Sequence, residues 1–144
     1  MSISNDWLIW AMLSALFAAL TAIFAKIGIQ GVDSDLATLV RTAVVLLVLA
    51  LFVWLAGKWS NPFELSGKTW LFLVLSALAT GASWVCYFRA LQLGDAAKVA
   101  PIDKFSLVLV AVFAVIFLGE RPSMLSWLGI ALVSAGVVVI ALAR

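Results

Sequence analysis

Five apolar stretches, residues 7–29, 36–57, 69–92, 97–119 and 124–143, take up nearly all of this 144-residue chain. A helix needs roughly 20 mostly apolar residues to cross the hydrocarbon core of a bilayer, and each stretch meets that length. A transmembrane barrel would instead show short strands alternating apolar and polar residues. These runs are apolar throughout and rich in Leu and Ala. The connections are short and turn-like: GVDSD, KWSNPFELSGK, the Gly94-Asp95 corner and GERPS. The pattern predicts an all-α integral membrane protein, with residues 1–144 forming a single five-helix domain in the lipid bilayer. A mean hydropathy of +1.23, with 66% hydrophobic and 11% charged residues, excludes a water-soluble globule. The N-terminal MSISNDW lacks the basic start of a signal peptide, and the run after it is too long for a cleaved signal. The first span is therefore expected in the mature protein.

Several function classes have no support. A net charge of +2 is spread thinly, with no Lys/Arg run that would hold nucleic acid. The chain has one cysteine, Cys86, and no histidine, so neither a disulfide framework nor a Cys/His metal site is expected. It also lacks a nucleophile-and-base pair and a glycine-rich phosphate loop. We expect no enzyme, no cofactor and no metal.

The informative residues are charges and aromatics inside the spans. An ionisable group at membrane depth is costly and marks a partner, a cavity or a transport path. In the first span Ser14, Ala18 and Ala22 recur every fourth residue, and Lys26 continues their line. Small residues at that spacing permit close helix packing in lipid, which would bring Lys26 against protein; alternatively, Lys26 snorkels to the headgroups. The second span opens with Asp33, Ser34 and Asp35, suited to an N-cap and first turn. Arg41 then lies about 8 Å inside Leu36, at about 1.5 Å per residue; arginine can also snorkel, so Arg41 by itself decides little. In the third span the polar residues gather in the second half: Thr80, Ser83, Trp84, Tyr87 and Arg89. Trp84 and Tyr87 are three apart and share a face. The other six tryptophans, Trp7, Trp10, Trp54, Trp59, Trp70 and Trp127, lie at the N-terminal side of the membrane, where indole rings gather. Trp84 is either a packing residue or a stacking platform for a ligand.

The fourth span carries Asp103, an acid in an otherwise apolar run, followed by Lys104. Pro101 is expected to open the first turns, since it has no N–H to donate. Were it the first helical residue, Asp103 would be the third, where an acid suits the helix dipole. The other reading uses spacing: Ser106, three residues on, shares the face of Asp103, and a polar stripe results. The fifth span is uncharged, with Gly129, Ala131, Ala135 and Gly136 offering small faces for packing.

Five spans put the termini on opposite sides. Lys58, Lys68 and Arg121 fall on the N-terminal side, against Lys98 and Arg144 on the other, with Arg89 and Lys26 at span ends there. The positive-inside rule finds no excess to read. Lys26, Arg41, Arg89, Asp103 and Lys104 all lie in the half opposite the N-terminus, as one charged vestibule per protomer. Transporters commonly bind solute between two halves of inverted topology, and two oppositely oriented copies of this chain would supply such halves.

The stretch from Tyr87 to Ile140 resembles the C-terminal part of an EamA-type domain of the drug/metabolite transporter superfamily. The resemblance rests on Ala90-Leu91 before the corner, Leu118-Gly119-Glu120, and Gly129 and Gly136 in the last span, with Arg41 early in the second. Five spans in the family's order extend it over essentially the whole chain. One proline common in the family's fourth span is absent; Leu107 stands near its place, and Pro101-Ile102-Asp103-Lys104 takes the preceding turns. Most relatives join two units, ten spans in all, as inverted repeats. A single unit resembles the five-span bacterial branch, which implies half of such a transporter, working as an antiparallel homodimer in the bacterial inner membrane.

The resulting expectation is a small secondary transporter moving a metabolite or drug-like solute by alternating access. Asp103 would serve proton coupling or bind an amine. Lys26, Arg41, Arg89 and Lys104 would favour an anionic group, Trp84 and Tyr87 an apolar one, and Ser106 would extend the polar stripe. The competing expectation is a non-transporting membrane subunit whose charges lock helices together.

Overall fold

The structure is a computed structural model describing residues 6–143. The reading of the N-terminal MSISN and the placement of Arg144 therefore lie outside the described residues. Five helices are long and apolar enough to cross a membrane, and no strand occurs among the described residues. They run Asp6–Gly28 (α1), Ser34–Leu55 (α2), Gly67–Leu93 (α3), Ala96–Leu118 and Met124–Leu142 (α6). The fourth is composite: α4 (Ala96–Asp103), α5 (Ser106–Phe113) and a π-turn over Ala114–Leu118. With Lys104 and Phe105 between α4 and α5, the whole span is 23 residues long. Observed ends differ from the sequence reading by two residues at most, the usual fraying of helix termini.

Local chemistry explains the ends. The Asp33 carboxylate accepts from the N–H groups of Asp35 (2.9 Å) and Leu36 (3.0 Å), satisfying two orphan donors of α2. That helix stops in a Schellman motif, Lys58 N donating to Val53 O (3.1 Å) and Gly57 N to Trp54 O (3.0 Å). Gly57 supplies the left-handed φ of 65° that the motif needs. Asn61 starts a 3₁₀ turn at Pro62–Glu64 by accepting from Phe63 N (3.1 Å), and Trp70 Nε1 closes onto Pro62 O (3.0 Å). Ser66 caps α3 through Thr69 N, and Ser123 caps α6 through Ser126 N, each at 3.1 Å.

Pro101 lies inside α4. The arrangement with Pro101 first and Asp103 third is therefore not the one adopted. Asp95 takes the extended N-cap backbone, but its side chain makes no capping bond. Pro101 has no N–H to give the carbonyl four residues back, and beyond it the helix tightens. Lys104 N bonds Pro101 O, Phe105 N bonds Ile102 O, Leu107 N bonds Lys104 O and Val108 N bonds Phe105 O, each a three-residue step of 3.0–3.1 Å. Residues three apart lie over one another in such a stretch, so Asp103 and Ser106 remain on one side although the α-helix breaks between them.

The chain divides into two compact units, residues 1–93 and 94–144. In the first, α3 packs against both α1 and α2. Its buried apolar residues are Ala22, Ile29, Phe88 and Leu91, with Ser34 and Thr38 buried beside them. In the second, α6 packs against α4 and α5, burying Val137. Large side chains such as Leu47, Phe72 and Leu132 point outward, as lipid-facing residues do, since lipid solvates them as well as protein would. Hydroxyls inside the spans are satisfied by their own helix: Thr21 donates to Phe17 O (2.8 Å), Thr42 to Thr38 O (2.7 Å), Thr80 to Ser76 O (2.9 Å) and Ser134 to Ile130 O (2.6 Å).

Candidate solute-binding site

The site is built in the first unit around Arg41. One turn separates Arg41 from Ala37 and another separates Ala37 from Asp33, so the N-cap sets which face of α2 the arginine occupies. Its Cζ lies 4.3 Å from the centroid of the Trp84 ring and 5.5 Å from that of Phe88. A cation over an aromatic face is attracted by the ring quadrupole. Here two rings, four residues apart on one face of α3, hold the guanidinium. They offer it no oxygen. Nη1 of Arg41 is buried and has no hydrogen-bond partner among the described residues.

Arg41 and Phe88 line a cavity of about 520 Å³. Most of the remaining wall comes from α1 and α2 and the turn joining them: Phe24, Ala25, Ile29, Val32, Leu36 and Val40. Small residues on α1 make room, and a Cβ added at Gly28 would meet nothing within 4 Å. The volume is of the size that holds small organic ligands.

The other anticipated residues take different positions. The Lys26 ammonium donates to Leu91 O at 2.6 Å. It thereby satisfies one of the last carbonyls of α3, a favourable place for a cation at a helix C-terminus. The small-residue line of α1 agrees with this in its second half, where Ala22 is buried, while Ser14 and Ala18 are exposed. Arg89 pairs with Asp35 at 2.9 Å, both side chains more than half exposed. Gln92 Nε2 donates to Val32 O at 2.9 Å. The last two turns of α3 are thus tied to α1, to the α1–α2 turn and to the start of α2. Tyr87 is half-buried beside Phe88. Asp103, Lys104 and Ser106 belong to the second unit, where Lys104 Nζ lies 3.3 Å from Asp103 Oδ2 and Ser106 is exposed. In the same unit Lys98 donates to Ala143 O (3.1 Å), closing the end of α6 as Lys26 closes that of α3.

Sequence reasoning paired Trp84 with Tyr87 and overlooked Phe88, although Phe88 lies four residues after Trp84 and so shares its face equally. It also placed Lys26 and Arg89 as available cations. Their partners, a main-chain carbonyl 65 residues away and a carboxylate 54 away, have no local signal.

Five membrane-length helices define a multi-pass membrane protein, and three of them wall a cavity of the size of a small solute. The chain belongs to the EamA-like transporter family, whose profile matches residues 5–142. An uncharacterized transporter encoded in the cobO 3' region of Sinorhizobium sp is 58% identical over 138 residues, covering 96% of this chain and 98% of that protein. The uncharacterized transporter YxxF of Bacillus subtilis (strain 168) is 27% identical over 130 residues, covering 90% of this chain and 40% of that longer protein. No solved structure matches. The protein is a multi-pass bacterial membrane protein from a family of transporters.

Proposed function

We propose that this chain is a small secondary transporter that carries a metabolite or drug-like solute across the bacterial inner membrane. Two copies of opposite orientation form the working unit, and solute reaches either side by alternating access. The observation that carries the reading is Arg41: a guanidinium stacked on two rings, with a buried nitrogen lacking an acceptor, at the wall of a solute-sized cavity. A guanidinium charge set in an apolar wall is costly to leave without a counter-charge, and a bound solute supplies one. Trp84, Tyr87 and Phe88 would form the aromatic side of the site. The Sinorhizobium relative is matched along 98% of its length, whereas the Bacillus protein continues well beyond the matched 40%. Those proportions support a single-unit chain that pairs with a copy of itself where longer relatives carry more in one chain.

Asp103 is the proposed proton-coupling group. Its carboxylate is half-buried beside Lys104, on the last residue of α4 before the helix breaks. Purified protein in liposomes tests this: Asp103→Asn should lower solute flux driven by a pH gradient at least ten-fold, and undiminished flux would remove the coupling role. The pair Arg89–Asp35, which joins α3 to α2, favours a second reading for those residues, that of a helix lock. Reversing the charges of a lock leaves function intact, and reversing those of a transport site does not. A pair of reporters fused after Arg144, one active on each side of the membrane, tests the assembly. Comparable signal on both sides is expected, and one clean orientation would refute the antiparallel dimer.

A further inference from the structure

Resting on the reading of the Arg41 cavity as the solute site, we infer that its solute is an organic monocarboxylate with an apolar body, rather than a cation, a neutral molecule or a dianion. The argument is one of charge count. In the first unit Lys26 is committed to Leu91 O and Arg89 to Asp35. Among the described residues that line the cavity, Arg41 is the one that carries a charge.

Each competing ligand class fails on the same wall. A cation would meet the Arg41 charge in an apolar surround, where like charges repel most. A neutral ligand would leave the guanidinium charge without a counter-charge. A dianion would pair one group with Arg41 and leave the other facing Phe24, Ile29, Val32 and Val40, which cannot pair with it. A single carboxylate matches the planar donor fork of arginine, and charge-assisted bonds of this type are the strong ones. The rings of Trp84 and Phe88 hold the fork in place before ligand arrives, so little ordering is left to binding. The remaining wall of a 520 Å³ cavity is aliphatic and aromatic and suits a ring or short chain.

Equilibrium dialysis of the full chain in lipid nanodiscs, with empty nanodiscs subtracted, tests the inference using four analogues of one phenyl skeleton. Phenylacetate should bind saturably. Phenylacetamide should bind at least ten-fold more weakly, phenethylammonium should not compete, and phenylsuccinate should bind no tighter than phenylacetate. Arg41→Gln should weaken phenylacetate at least ten-fold, and Arg41→Lys should restore part of the loss. Preference for phenethylammonium, equal binding of the amide, tighter binding of the dianion, or no binding by any of the four would overturn the inference. The wild-type series decides the matter even if Arg41→Gln fails to fold. Selective binding without flux in liposomes would refute the transporter reading and leave the ligand class standing. Flux with cations preferred would refute the ligand class alone.

Discussion

Lys26 offers the sharpest test of how the first unit is held together. Its Nζ lies 2.6 Å from Leu91 O, and Leu91 is fully buried. Substitution by Met keeps the length and apolar stem of the side chain and removes only the ammonium. A hydrogen bond with a charged donor contributes about 1.5–3 kcal/mol. Placement of a cation at the C-terminal end of α3 adds about 0.3–1 kcal/mol through the helix dipole. Lys26→Met should therefore destabilise the protein by about 2–4 kcal/mol. At about 2–4 °C per kcal/mol for a chain of this size, melting should fall by roughly 5–15 °C. Unfolding of the full chain in mixed micelles, followed by far-UV circular dichroism during SDS titration and again on heating, measures both quantities. A loss below about 0.5 kcal/mol, the level of an ordinary surface change, would refute the tether. Weakened solute binding with unchanged stability would instead return Lys26 to the cavity as a ligand contact.

Other outcomes follow from the same geometry. Gly119 holds φ at 67° while Glu120 N closes onto Ala114 O (3.2 Å), and a Cβ there would meet nothing within 4 Å. Gly119→Ala should therefore cost about 1–2 kcal/mol through backbone strain alone, readable in the same SDS titration; no change would mean the turn is held otherwise. Arg89 and Asp35 are both exposed, so a double-mutant cycle with Arg89→Gln and Asp35→Asn should give a coupling of about 0.2–1 kcal/mol. A coupling above about 2 kcal/mol would show the pair to be buried in the assembled transporter. Ser123→Ala removes the acceptor for Ser126 N and should lower stability by about 0.5–2 kcal/mol, again measured by SDS titration, with an unchanged midpoint counting against the cap.

The arginine was legible before the cavity was. A charge inside an apolar run is visible to anyone reading along the chain, and its cost in lipid makes it a functional candidate at once. So were Asp33 as a cap and Leu118-Gly119-Glu120 as a shaped corner, because capping and left-handed turns are local chemistry. Lys26 and Arg89 were equally visible, yet sequence spacing said nothing of Leu91 O or Asp35. Phe88 was hidden for a different reason. In an apolar helix every aromatic resembles every other, and only the position of α2 against α3 selects the pair that stacks on Arg41.

Sequence alone therefore determined that this chain crosses a membrane five times and which few residues carry charge there. Bilayer thickness and the cost of a buried ion act on single helices and leave their mark in composition and length. The packing of α3 against α1 and α2 decided which of those charges are spent on structure and which remains available. Partners across helices are chosen by contact in space, and Arg41 is left as the cation at the cavity wall because Lys26 and Arg89 each find an oxygen elsewhere.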